Sequence, residues 1–108
     1  MRILLDHNTP APLRYWLIGN SVETAFERGW AELTNGDLLA VAEEAGFDVV
    51  ITTDQGIRYQ QNLAGRSFAL VVIDTNDWTK IRKWRPLVLE ALTKIVPGAF
   101  IEVEIPYP

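Results

Sequence analysis

Three apolar segments constrain the fold of this chain more than any other feature. They are RILL at residues 2–5, DVVITT at residues 48–53 and FALVVID at residues 68–74. A strand with one face in water alternates apolar and polar residues, whereas a strand covered on both faces is apolar almost throughout. The three segments therefore predict strands inside a sheet that helices cover on both sides.

Helix-like segments separate these strands and complete the predicted architecture. Helices are predicted at residues 10–19, 34–46 and 79–96, and two further strands at residues 21–26 and 99–105. Pro86 is expected to kink the last helix or to start it anew. Strands that alternate with helices form a mostly parallel sheet. The sequence thus predicts one α/β domain over residues 1–108, with three α/β/α layers, a five-stranded sheet and residues 99–105 as an edge strand.

Composition narrows the classes of function. The net charge of −4 argues against a protein that coats nucleic acid through a general basic field. The chain has no cysteine, which excludes disulfides and thiolate metal sites. Its apolar runs are far shorter than the roughly 20 residues that span a bilayer. No signal peptide is evident either, so the expected location is the cytoplasm, without membrane contact.

Aspartates follow two of the predicted strands directly. Asp6 ends the first strand and Asp54 ends the third, while Asp37 lies in the first turn of the helix before the third strand. Parallel strands point their carboxyl ends to one edge of a sheet, so these carboxylates are expected to lie close together. Clustered carboxylates need a cation or raised pKa values, and oxygen ligands favour Mg²⁺ or Mn²⁺. Asn8 is a further catalytic candidate, because its amide can orient a ligand or a phosphate.

Each of these residues also has a purely structural interpretation. Asp6 and Asp54 can shape turns, and Asp37 can complete a capping box with Thr34. Asn8 can cap the first helix. The same applies to further polar residues near the strand ends. Asp74 and Asp77 suit turns, His7 suits an exposed turn, and Thr52 and Thr53 suit a strand or a bond to a carboxylate. The presence of all three aspartates, two at strand ends and one at a helix start, in one short domain favours a functional site over three separate structural roles.

Two segments are candidates for contact with RNA. Residues 80–85 read KIRKWR, and residues 56–66 follow the Asp54 loop. The candidate RNA-binding residues are Arg58, Arg66, Lys80, Arg82 and Lys83. These side chains can hold a nucleic-acid backbone while Trp78 or Trp84 stacks on a base. Alternatively, residues 80–85 form a solvated helix face from which Trp84 packs inward.

The segments ILLDHN, NGDLLAVAEEAG and VVITTDQG resemble short PIN-like domains, which are relatives of VapC-type toxins. This resemblance implies a Mg²⁺- or Mn²⁺-dependent endoribonuclease, usually the toxin of a toxin–antitoxin pair. It also implies a small DNA-binding antitoxin as partner and often a homodimer. On this analogy Asp6, Asp37 and Asp54 hold the metal. Gly56 stands where such domains commonly carry another acid, which favours one metal ion over two.

Two other functions compete with the ribonuclease interpretation. A non-catalytic PIN-like module would bind a protein partner through aromatic surface, and the chain has four tryptophans. A phosphoacceptor receiver domain would use Asp54 as acceptor and Thr75 after the fourth strand. Such a domain also needs a lysine before the proline that follows the fifth strand, where this chain has Ile105. It further needs paired acids after the first strand, where this chain has Asp6 alone. The ribonuclease interpretation therefore ranks first.

Overall fold

The computed structural model describes residues 1–57 and 63–106, and it contains a sheet of five parallel strands in the order β2-β1-β3-β4-β5. The strands are β1 at Arg2–Leu5, β2 at Ser21–Thr24, β3 at Val49–Thr52, β4 at Ala69–Ile73 and β5 at Phe100–Val103. β1, β3 and β4 occupy the interior, and every residue of β3 and β4 is buried. The predicted α/β fold is confirmed, with β5 at an edge.

Helices connect the strands. They are a 3₁₀ helix at Ala11–Trp16, α1 at Asn35–Glu44, α2 at Trp78–Ile81, a second 3₁₀ helix at Arg82–Trp84 and α3 at Arg85–Leu92. The last predicted helix is therefore divided, and it restarts at Arg85 beside Pro86. Proline suits the first turn of a helix, because the amide hydrogen it lacks would have no partner there. The helix ends at Leu92, four residues earlier than predicted.

The first helix is shorter and tighter than predicted. It spans Ala11–Trp16 within the predicted residues 10–19, and the Leu13 amide donates to the Pro10 carbonyl at 3.1 Å. Proline at positions 10 and 12 removes two amide donors from this segment. A short 3₁₀ turn needs fewer consecutive hydrogen bonds than an α-helix, which explains the difference.

Two hydrophobic clusters lie on the two faces of the sheet. Ile3, Val49 and Ile51 pack in one cluster with Leu13 of the first 3₁₀ helix and Val88 of α3. Leu4, Val50 and Leu70 pack in the other cluster with Leu38 and Ala42 of α1. Successive residues of a strand point to opposite faces, so each interior strand contributes to both clusters. This arrangement requires the continuous apolar runs of the sequence.

The strand order creates a topological switch point between β1 and β3. From β1 the chain crosses to β2 on one side, and from β3 it crosses to β4 on the other. The two connections leave a crevice at the carboxyl ends of β1 and β3, where open α/β sheets bind ligands. Across residues 1–57 and 63–106, no helix is long and apolar enough to cross a membrane.

Candidate active site

Asp6 lies at the switch point, immediately after β1. Its side chain is only 2% exposed, and its backbone amide donates to the Ile51 carbonyl at 3.0 Å. Oδ2 accepts a hydrogen bond from the Thr52 hydroxyl at 2.8 Å. Oδ1 accepts from the His7 amide at 2.7 Å and lies 2.9 Å from His7 Nδ1. The first strand thus ends on a buried carboxylate that several donors fix in place.

Asp54 follows β3 on the other side of the switch point and is partly buried. Its Oδ1 accepts from the Gly56 amide at 2.9 Å, which closes a turn of the kind aspartate favours. Its Oδ2 accepts from the Asn35 side-chain amide at 3.0 Å. The Asp54 amide donates to Thr52 Oγ1 at 3.0 Å, and the same hydroxyl donates to Asp6. A single buried hydroxyl therefore links the two strand-end aspartates.

Asp37 is exposed in the first turn of α1. Its amide donates to Thr34 Oγ1 at 3.2 Å, as half of the predicted capping box. Asn35, the first residue of the same helix, is the one that contacts Asp54. The start of α1 therefore lies at the predicted edge. Asn35 was not among the predicted site residues, and the only signal for it is a polar amide at a helix start.

His7 and Asn8 are both exposed beside Asp6. The His7 side chain keeps 44% of its surface accessible while its ring contacts the Asp6 carboxylate. Asn8 does not cap the first helix, because Pro10 occupies the cap position and no side-chain bond is made there. The Asn8 carbonyl instead accepts from the Thr53 hydroxyl at 3.2 Å, which joins the β1 and β3 loops.

The donor set suits a hard divalent cation but is not assembled as a three-carboxylate site. Within residues 1–57 and 63–106, no group of three or more acidic or histidine side chains is close enough to hold a metal ion. A carboxylate offers about four acceptor positions. The described donors use three positions on Asp6 and two on Asp54, so both carboxylates retain acceptor capacity. The chemistry fits Mg²⁺ or Mn²⁺, and the three-ligand set stays a prediction.

The other acids near this edge have structural roles. Asp74 Oδ1 accepts from the Ile105 amide at 3.0 Å, which fixes the chain after β5. Asp77 is the N-cap of α2, and its Oδ1 accepts from the Thr79 amide at 2.9 Å. Both aspartates thus make structural contacts, although these are a long-range bond for Asp74 and a helix cap for Asp77 and not the predicted turns.

The predicted RNA-binding residues that the structure describes do not form one surface. Arg58 lies outside the described residues. Arg66 precedes β4 and pairs with Glu43 at the end of α1, at 2.8 Å. This pair lies at the amino edge of the sheet, away from Asp6 and Asp54.

The remaining basic candidates belong to α2 and the 3₁₀ helix that follows it. Lys80 is half-buried and has an interaction partner, whereas Arg82 and Lys83 are exposed. Trp84 is 37% exposed, so the expectation that it packs inward is wrong. Arg82, Lys83 and Trp84 nevertheless form a basic, aromatic surface on the helices that leave β4.

We compared the chain with known proteins in three ways. No family model matches the sequence, and no curated protein and no solved structure matches it significantly.

Proposed function

We propose that this protein is a metal-dependent ribonuclease that hydrolyses phosphodiester bonds at the carboxyl ends of β1 and β3. The observation that carries the proposal is the buried carboxylate of Asp6, fixed at the switch point by Thr52. Burial of an anion is costly unless charge partners or hydrogen bonds compensate it. No lysine or arginine in the described part of the chain forms an ion pair with Asp6 or Asp54. Hydrogen bonds from Thr52 and His7 already compensate part of this cost, and a divalent cation would add the missing charge partner.

Asp6 and Asp54 are the proposed metal ligands, and the resemblance to PIN-like domains adds Asp37 as a third, although the described side chains form no group of three acids around one ion. Bound there, Mg²⁺ or Mn²⁺ would lower the pKa of a bound water and offset charge on phosphate oxygens. Thr52 orients Asp6, while Asn35 and the Gly56 amide orient Asp54. Such hydrogen-bonded supports hold metal-binding carboxylates in position. Asn8, exposed beside the site, would contact the phosphate.

The proposal is tested by cleavage of single-stranded and structured RNA in the presence of Mn²⁺. We expect Asp6→Asn and Asp54→Asn each to reduce the cleavage rate by at least about 100-fold, since metal and water positioning depend on both carboxylates. Far-UV circular dichroism should show that the variants stay folded. Asp77→Asn is the matched control, because asparagine is an equally good helix cap. Equal cleavage by wild type and Asp54→Asn would sink the catalytic proposal.

A biological role as the toxin of a toxin–antitoxin pair is supported by the resemblance of the sequence segments. This role includes a small DNA-binding antitoxin, and a homodimer is the assembly that the same resemblance implies. Coexpression with the product of the adjacent reading frame tests it. We expect a complex that purifies intact and in which RNA cleavage is suppressed. A neighbouring product that neither binds nor inhibits the protein would contradict the role.

A protein-binding module without catalysis is the second candidate. Tyr15 is 74% exposed and Ile18 is 85% exposed, and both belong to the segment that connects β1 to β2. Adjacent large apolar side chains in water are typical of contact surfaces. Calorimetric titration with Mn²⁺ separates the candidates. Uptake of Mn²⁺ that is lost in Asp6→Asn favours the ribonuclease, and the absence of uptake favours the binding module.

A further inference from the structure

A cavity of about 380 Å³ lies over the carboxyl ends of β1 and β2, beside the candidate active site. Asp6 and His7 line it on the β1 side, and Thr24, Phe26 and Glu27 line it on the β2 side. Ligand pockets range from about 300 to 1,000 Å³, so this volume suits a small ring system. Because Asp6 belongs to the wall, a ligand in the cavity lies next to the proposed catalytic carboxylate.

Phe26 gives the cavity an aromatic surface. It follows β2 by two residues and is 80% exposed, although a phenyl ring normally gains stability from burial. Within the described part of the chain, no aromatic ring or guanidinium group packs against it. An exposed ring with a free face can stack on a flat aromatic ligand.

The charged groups of the cavity favour a neutral ligand over a phosphate. Arg14, which also lines the cavity, is already engaged, because its Nη2 donates to Glu27 Oε1 at 2.8 Å and to the Val22 carbonyl at 3.1 Å. Hydrogen bonds from the Thr24 amide and from Arg14 hold the pKa of Glu27 below its usual range. Two carboxylates, Asp6 and Glu27, thus face the cavity as acceptors.

Glu27 retains acceptor capacity. Oε1 accepts from Arg14 and from the Thr24 amide, and the Thr24 hydroxyl also contacts the carboxylate, which still leaves acceptor positions on Glu27. A ligand that fits this wall is flat, uncharged and equipped with N–H donors. Nucleobases have all three properties, and single-stranded RNA is commonly bound by stacking its bases on aromatic side chains.

We propose that this cavity is a nucleobase subsite in which a base of single-stranded RNA stacks on Phe26 and donates an N–H group to Glu27. The assignment of RNA as the source of the base rests on the proposed ribonuclease function. Binding of the base itself requires no metal ion and no scissile bond. The subsite can therefore be tested separately from cleavage.

The test uses the single histidine of the chain as a reporter, since His7 lines the cavity. The four nucleosides are titrated without metal while the imidazole proton signals of His7 are followed by NMR, with ribose as the ligand that lacks a base. We expect a saturable shift of the His7 signals with at least one nucleoside and none with ribose. Phe26→Leu should weaken binding about tenfold, as expected when one base loses its stacking partner.

Two variants serve as controls. Phe26→Tyr keeps an aromatic ring and should keep the affinity, and Tyr15→Leu removes an equally exposed ring that does not line the cavity. Absence of any His7 shift up to the solubility of the nucleosides would overturn the proposal, and so would equal losses in Phe26→Leu and Tyr15→Leu. RNA cleavage without nucleoside binding would support the ribonuclease proposal and contradict the subsite. Nucleoside binding without RNA cleavage would support the subsite and contradict the ribonuclease proposal.

Discussion

At the scale of single residues, Thr52 has a central role, because it forms hydrogen bonds with both strand-end aspartates. Its side chain is fully buried, and its hydroxyl donates to Asp6 Oδ2 while accepting from the Asp54 amide. Threonine is common in strands for steric reasons alone, so its presence in a strand does not by itself reveal this bond. If a buried carboxylate loses a hydrogen-bond donor, the oxygen without a partner lowers the stability of the fold by its cost of desolvation.

We predict that Thr52→Val lowers the free energy of unfolding by about 1–3 kcal/mol, because it leaves an oxygen of Asp6 unsatisfied. Thr52→Ser keeps the hydroxyl and should cost less. Urea denaturation followed by circular dichroism measures both variants. Equal stability of Thr52→Val and Thr52→Ser would show that the bond to Asp6 contributes nothing.

The sequence locates some of the site residues and misses others for a physical reason. Asp6 and Asp54 could be placed at one edge because apolar runs fix where their strands end, and parallel strands end together. The contact of Asn35 with Asp54 and the exposure of Phe26 depend on how loops leave the strands. Such geometry is set by tertiary packing and not by local propensity. The proximity of Asp37 to the other two acids stays a prediction for the same reason.

At the scale of elements, α1 is fastened to the start of β4 by one side chain. Glu43 lies in the last turn of the helix and accepts hydrogen bonds from the Ser67 amide and from Arg66, both at 2.8 Å. These bonds, the one from Ser67 foremost, hold the pKa of Glu43 below its usual range. The ionised carboxylate therefore stabilises the folded chain.

This contribution has a defined pH dependence. It is fully present above the ordinary glutamate pKa of about 4.3 and is lost as the pH falls through the lowered pKa of the folded state. We predict that Glu43→Gln is less stable than wild type at pH 7 and that the difference shrinks below pH ~4. Urea denaturation across this range measures it. Glu44→Gln, an exposed change on the same helix, controls for loss of a helix charge. A difference that does not vary with pH would contradict the assignment.

The helices and strands could be predicted from the sequence where a hydrophobic pattern determines the secondary structure. The three interior strands follow from apolar runs, the two edge strands from alternating apolar and polar residues, and α1 from its apolar stripe and a cap at Thr34. The first helix was predicted too long because two prolines favour a 3₁₀ turn over a regular helix. A helical pattern shows which residues face the sheet, but it does not distinguish these two hydrogen-bonding schemes.

For the whole molecule, the sheet makes the two hydrophobic clusters interdependent. The radius of gyration of 12.7 Å is close to the roughly 13 Å expected for a compact domain of this length. Val50 belongs to one cluster and its neighbours Val49 and Ile51 to the other. Loss of either helical layer would expose the same strands to water, so neither layer is expected to unfold alone.

We predict a single unfolding transition, which the tryptophans can report. Trp16 and Trp78 lie with ring centroids 4.9 Å apart and planes tilted by 39°, and both pack against one cluster, whereas Trp30 packs against the other. In the Trp30→Phe variant, the remaining tryptophans lie on the helices of one face of the sheet, so their fluorescence reports on that layer. Far-UV circular dichroism follows the secondary structure of the whole domain. Both probes should give the same urea midpoint in this variant. Separate midpoints would mean that the layers unfold independently.

The strand order also governs how this protein emerges during synthesis. β1 is translated before β2 and β3, yet it lies between them in the sheet, and Ile3 pairs with Val49. The apolar segment of β1 must therefore wait until β3 has been made before both of its edges in the sheet are paired. Pairing between distant segments slows folding and leaves unpaired strands open to aggregation. The nascent chain is most exposed to misassembly in that interval, when a holding chaperone would have the greatest effect on yield.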